Sequence, residues 1–159
     1  MRTILCYGDS NTHGQIPGGT PLDRYTLLQR WPGVLARELG KGWHIIEEGL
    51  SGRTTVHDDP IEGALKNGRT YLRPCLMSHA PLDLVIIMLG TNDLKARFSQ
   101  PASEVAMGIG CLIHRWETPR PRTWLPFRAA ETGGRCNRHE ESADRKRSRR
   151  PRAAHQGER

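Results

Sequence analysis

Unbroken apolar runs and helix-spaced apolar positions alternate along the first three quarters of the chain. Ile4-Leu5-Cys6-Tyr7 is continuous and ends at Gly8-Asp9-Ser10, which predicts a buried strand delivering a hydroxyl to the carboxyl edge of a sheet. Residues 15–19 hold one Pro and two Gly and read as a loop over that edge. Trp31, Val34, Leu35 and Leu39 then recur at helical spacing, with Pro32 suited to the first turn and Gly40 to the position past the end. Trp43-His44-Ile45-Ile46-Glu47 predicts a second strand, followed by the turn-rich segment 48–55 and a polar loop through Pro60. Strand, helix, strand at this spacing predicts a parallel pair joined by a right-handed crossover. Residues 61–80 carry a weaker signal, a helix over 70–79 with Pro74 in its first turn or at a kink. Residues 82–89 read as the clearest strand, an apolar run of the kind a central parallel strand buried on both faces shows. Pro101 then opens a segment in which Val105, Ile109, Leu112, Ile113 and Trp116 share one helical face.

There the alternation stops. From Glu117 onward the chain holds one Leu, Leu125, and no Ile, Val or Tyr, while Arg outnumbers Lys eleven to one. Residues 1–116 carry 12 Lys/Arg against 11 Asp/Glu, and residues 117–159 carry 12 against 6, so the basic character belongs to the tail. Such a segment buries too little apolar surface to offset its ordering entropy, and the expectation is disorder over 117–159 after a folded unit over 1–116. The overall apolar fraction of 36% agrees, falling below the roughly 45–50% of globular chains, an average that also counts Gly.

The four cysteines, Cys6, Cys75, Cys111 and Cys136, form no Cys-x-x-Cys pair, and three sit in apolar segments. Neither a disulfide framework nor a metal site is expected, and His44, His57 and His79 read as single histidines without ligand spacing. Trp31, Trp43 and Trp116 read as core or pocket-wall aromatics. The first strand begins almost at the N-terminus, and no apolar stretch approaches the length of a membrane span, so the expected location is cytoplasmic, with no membrane partner.

Three loops, one after each predicted strand, hold Ser10, Gly52 and Asn92, and in a parallel sheet all three emerge on one edge. Acyl transfer needs a nucleophilic oxygen, a general base, and donors aimed at the oxyanion of the tetrahedral intermediate. Ser10 supplies the first; the backbone N–H groups of Ser10 and Gly52 and the side-chain amide of Asn92 are suited to the third. Asp9, His13 and Asp93 flank these positions and are expected to line the pocket, the two aspartates shaping turns or caps rather than reacting.

At these residues the sequence resembles the SGNH (GDSL-type) hydrolases, through Gly8-Asp9-Ser10, the Gly52 turn and Gly90-Thr91-Asn92-Asp93. The arylesterase/acyltransferase branch is more similar still, through residues 4–10, 47–51 and 82–93. The resemblance covers about residues 3–114. It implies a flavodoxin-like three-layer αβα fold and serine-dependent hydrolysis of small-molecule carboxylic esters. Acyl transfer to alcohols or peroxide is implied as a side activity, and a homo-oligomer as a common state. No cofactor or metal is implied.

The family's C-terminal Asp-x-x-His block, which supplies the general base and the carboxylate orienting it, has no counterpart, since no Asp here is followed three residues later by His. His139 and His155 lie in the Arg-rich tail, and His13 lies on the nucleophile's own turn, so the general base is unknown. An Arg/Pro/Ala/Gly tail after a sudden loss of pattern suggests a truncated or frameshifted family member with a noncognate tail. Translation of the underlying nucleotides in the other two frames tests this, because a frameshift requires that one of them restore apolar strands and the missing block. In flavodoxin-like strand order 2-1-3-4-5, such a chain keeps 2-1-3, an incomplete parallel sheet of about three strands that leaves residues 82–89 as an edge. Two rival readings are a non-catalytic remnant and a polyanion binder acting through residues 145–152. No nucleic-acid module accompanies the basic run, and no specific nucleic-acid partner is expected. Gly-x-Gly-x-x-Gly is absent after the first strand, which argues against dinucleotide binding.

Overall fold

The computed structural model describes residues 1–20 and 22–114. The predicted tail over 117–159, with Trp116, Cys136, His139 and His155, lies outside them. β1 (Arg2–Gly8) pairs in parallel with β2 (Trp43–Gly49) on one side and β3 (Leu84–Met88) on the other, giving the order β2-β1-β3. That is the expected 2-1-3 half of a flavodoxin-like sheet. Helices α1 (Ser10–His13), α2 (Trp31–Leu39), α3 (Gly68–Ser78) and α4 (Ala102–His114) complete the α/β unit.

β1 is the buried strand. Successive side chains of a strand face opposite ways, and here both faces are covered, with Ile4, Leu5, Cys6 and Tyr7 all buried. Leu5 and Tyr7 enter a core with Leu72, Cys75 and Leu76 of α3 and Leu112 of α4, backed by Ile46, Val85 and Ile87 from the flanking strands. α2 packs against β2. Its start follows the sequence signal, with Pro32 in the first turn, and its end is set by Gly40 at φ +72°, whose N–H bonds the Ala36 carbonyl at 3.1 Å.

Four elements differ from the sequence expectation. β2 runs on to Gly49, because the ladder with β1 continues through Glu48 to the Gly8–Gly49 pair. The strand in residues 82–89 is shorter, and β3 is half-buried instead of buried on both faces, with Met88 42% exposed. Among the described residues it pairs only with β1, so an apolar run that a central strand would carry lies at an edge. α3 starts at Gly68, where Asn67 caps it by accepting from Arg69 N–H at 3.0 Å, and Pro74 consequently lies inside the helix. Finally, the segment after Ser10 opens with a helical turn, α1, before the loop over the sheet edge begins.

Candidate active site

Two glycines at paired positions seat the first loop on the sheet edge. A Cβ at Gly8 would run into the Thr12 hydroxyl and stand 2.8 Å from the Met88 carbonyl oxygen, and one at Gly49 would collide with His13 N. Their absence lets α1 fold back directly over the ends of β1 and β2. Asp9 caps α1, its Oδ1 accepting from the Asn11 backbone N–H at 2.9 Å and from Asn11 Nδ2 at 3.0 Å. Ser10 is thereby the first residue of α1, half-buried, and its hydroxyl makes no hydrogen bond with any described residue.

The second loop turns at Gly52, which is buried and adopts φ +83°, a left-handed conformation that a side chain would strain. The next residue, Arg53, is 3% exposed. Its Nη1 donates to the Gly8 carbonyl at 2.9 Å and to the Glu48 carbonyl, and its guanidinium lies 4.1 Å from the centre of the Tyr7 ring. Tyr7 in turn donates its hydroxyl to the Gly68 carbonyl at 2.7 Å, and burial pushes its pKa upward. The third loop joins through the Arg53 carbonyl, which accepts from Asn92 Nδ2 at 3.0 Å. A path of two hydrogen bonds therefore runs from Gly8, two residues before Ser10, through Arg53 to Asn92. One amide hydrogen of Asn92 is committed to Arg53, leaving the other for a ligand.

Asp93 is fully buried, and both carboxylate oxygens accept from the Thr55 N–H at 3.0 Å while Oδ1 also accepts from Thr55 Oγ1 at 2.6 Å. Asp9 is 1% exposed. Both carboxylates thus lie beneath the surface, one capping α1 and one fastening the third loop to the second, and neither forms an open pocket wall. His13 ends α1, and desolvation, and after it the Arg24 charge, depress its pKa. No described histidine hydrogen-bonds Ser10.

Sequence reasoning missed Arg53 and the ionic cluster around Asp59. Asp59 is buried and accepts from the Ile61 and Glu62 N–H groups at 2.9 and 3.0 Å and from Arg97 Nη2 at 2.6 Å. Glu62 bonds Lys95 at 2.6 Å and Arg97 at 2.7 Å, and its carboxylate stands against the position a Cβ at Gly52 would take. Arg97 holds the Asp59 carboxyl far below the usual carboxylate range, and Lys95 does the same to Glu62 more mildly. These contacts tie the loop after β2 to the loop after β3. The only sequence signal was the density of charge in two loops, which reads equally well as solvated surface. His79, read as a single histidine, bonds Glu48 through Nε2 at 2.9 Å.

An open parallel α/β sheet with interlocked carboxyl-end loops, the first carrying Gly-Asp-Ser, has its ligand edge where a hydrolase of this architecture needs it. The chain belongs to the GDSL-like Lipase/Acylhydrolase family, whose model matches residues 6–154. Among solved structures, the native M. smegmatis aryl esterase is 51% identical with a TM-score of 0.68, over 72% of this chain and 54% of that one. Est24, a carbohydrate acetylesterase from Sinorhizobium meliloti, is 53% identical with a TM-score of 0.68, over 72% and 54%. A carbohydrate acetylesterase family member from the same organism is 43% identical with a TM-score of 0.68, over 76% and 57%. The chain thus spans a little over half the length of these relatives. No curated protein sequence matches it, and no described helix is long and apolar enough to cross a membrane.

Proposed function

We propose that this chain carries the nucleophile and oxyanion half of a carboxylic ester hydrolase, with Ser10 attacking the ester carbonyl. The N–H groups of Ser10 and Gly52 and the second amide hydrogen of Asn92 receive the developing oxyanion. The ester C–O bond breaks and the alcohol leaves with the proton given up by the serine hydroxyl. The acyl group then passes from Ser10 to water or to an alcohol or peroxide acceptor, whose proton returns to Ser10. The observation that carries this reading is the Gly8–Arg53–Asn92 path, which gathers the three loops at one end of β1. The aryl esterase and acetylesterases it is similar to favour short acyl groups on aryl or carbohydrate alcohols as the substrate class.

No described histidine hydrogen-bonds Ser10. Where no other residue supplies the general base, attack relies on binding and oxyanion stabilisation alone, which in triad enzymes leaves a residual acceleration of roughly 10³–10⁴-fold over water. Hydrolysis of an aryl acetate by the purified full chain, measured beside Ser10→Ala, tests the proposal. Expected is a slow rate that disappears in Ser10→Ala while the far-ultraviolet circular dichroism stays the same. A rate indifferent to Ser10→Ala overturns it.

A further inference from the structure

On the α3 side of the sheet, separate from the serine loops, Glu48 of β2 meets Cys75 of α3 and His79, the residue that caps the end of α3. The His79 N–H bonds the Cys75 carbonyl at 3.2 Å, which keeps the two residues together at the helix end. One donor atom from each of the three residues lies within 4.8 Å of the other two. We propose that Glu48, Cys75 and His79 form a binding site for Zn²⁺ or another thiophilic divalent cation.

The donor set fits that class of ion. A thiolate, an imidazole nitrogen and a carboxylate oxygen are the three ligand types zinc takes, and three protein ligands leave a fourth position for water or an exogenous donor. Cys75 is fully buried, which fixes the sulfur, while the side chains of Glu48 and His79 keep 20% and 31% of their surface exposed and leave an entry route. Glu48 Oε1 bonds His79 Nε2 at 2.9 Å. A cation placed among the three replaces the Glu48–His79 hydrogen bond with ligand bonds.

Two features oppose binding. Burial raises the Cys75 thiol to about 12, so one thiol proton must leave to solvent for each cation bound. The Arg53 charge repels a second cation, but it also lowers the Cys75 thiol pKa and so favours the thiolate, and thiolate and carboxylate together carry two negative charges against its one. Affinity therefore rises with pH, as ligand deprotonation requires.

The test is titration of the chelator-treated full chain with Co²⁺, read by absorption, followed by competition with Zn²⁺. Expected are one equivalent of Co²⁺ showing thiolate-to-cobalt charge transfer and a tetrahedral ligand-field band, both removed by Zn²⁺. Cys75→Ser abolishes the charge-transfer band. His79→Gln, which is partly exposed and keeps a hydrogen-bonding partner for Glu48, weakens Co²⁺ binding at least tenfold and removes the rise in Tm that Zn²⁺ gives the parent. Cys136→Ser leaves all of these signals in place. Absence of thiolate charge transfer in the parent, its survival in Cys75→Ser, or its loss in Cys136→Ser overturns the proposal and leaves the cluster a hydrogen-bonded packing device.

Discussion

Arg53 lies over the ring of Tyr7, its guanidinium carbon 4.1 Å from the ring centre, and the pair joins the carboxyl end of β1 to the turn that follows β2. The same guanidinium donates to the Gly8 and Glu48 carbonyls. A buried cation is tolerable only where carbonyl dipoles and a ring face replace the water it gives up. Removal of Arg53 therefore takes one donor from each of two strand-end carbonyls, of which Gly8 keeps the Leu50 N–H at 3.0 Å, and opens a void above Tyr7. Arg53→Ala should destabilise the chain by about 3 kcal/mol, combining charged hydrogen bonds with the lost ring contact. Arg53→Lys should recover only part of this, because one ammonium lacks the planar fork. Urea unfolding of the three proteins measures both, and equal stability would show that the Tyr7 contact is incidental.

The Asp93–Thr55 contact should behave as a fastener. Both carboxylate oxygens accept from Thr55, three close approaches in a fully buried place. Asp93→Asn puts an amide donor where two Thr55 donors already point, and should cost about 1–3 kcal/mol, the range for a buried polar group left without its partner. Thr55→Val removes both the hydroxyl donor and its need for a partner at nearly constant volume, so the doubly substituted chain should lose less than the two single effects added. A double-mutant cycle in urea reads the coupling.

Much of the fold was legible because its signals were local. The run ending in Gly8-Asp9-Ser10, the Pro32 and Gly40 punctuation of α2 and the apolar run around β3 each announce themselves within a few residues. Features set by residues far away in sequence were not. Arg53 is buried only because β1 brings Tyr7 beneath it, and β3 is half-buried because the described sheet ends there. The start of α3 at Gly68 depends on the side chain of Asn67, which accepts from Arg69 N–H while donating to the Val56 carbonyl and to Asp58. Cys75 lies in the last turns of α3 and His79 caps its end, yet their third partner comes from β2. For the candidate site, Ser10, Gly52 and Asn92 were readable as loop positions, while the arginine that gathers them was not.

Acid should loosen the clamp between the second and third loops. Asp59 and Glu62 have depressed pKa values in the fold, through Arg97 and Lys95 first of all. A carboxylate with a depressed folded value contributes stability that is fully present above its unfolded value, about 4, and disappears as pH falls through the folded one. The Tm of the parent should therefore hold steady near neutrality and fall below about pH 4. Arg97→Gln removes the leading cause of the Asp59 shift, so it should lower Tm at neutral pH and narrow its gap to the parent in strong acid. A gap that stays constant across pH would show that Arg97 contributes by packing alone.

The edge of β3 should drive association. Its apolar side chains are half-buried, and Met88 is 42% exposed. An apolar edge strand is a template for pairing with another chain, and a charge placed on it is a common natural block. Met88→Lys should raise the monomer fraction in size-exclusion chromatography coupled to light scattering, at unchanged far-ultraviolet circular dichroism. A parent that is already monomeric at high concentration would show that this edge is protected.

Asn92 offers the sharpest separation of chemistry from architecture. Its side chain makes one hydrogen bond, to the Arg53 carbonyl at 3.0 Å, and if the proposed reaction is right its other amide hydrogen meets the oxyanion. Asn92→Ala should therefore reduce stability by only about 1 kcal/mol, the net worth of a neutral hydrogen bond. Reaction of Ser10 with an organophosphonate, whose phosphoryl oxygen develops charge as the acyl oxygen would, should slow by about 10²–10³-fold, the usual effect of removing one oxyanion donor. Labelling must be absent in Ser10→Ala for the comparison to count. Because the probe needs an activated oxygen but no later deacylation, the ratio between the parent and Asn92→Ala is readable even where turnover is slow. Equal labelling rates would remove Asn92 from the oxyanion site and leave it as the residue that holds Arg53 in place.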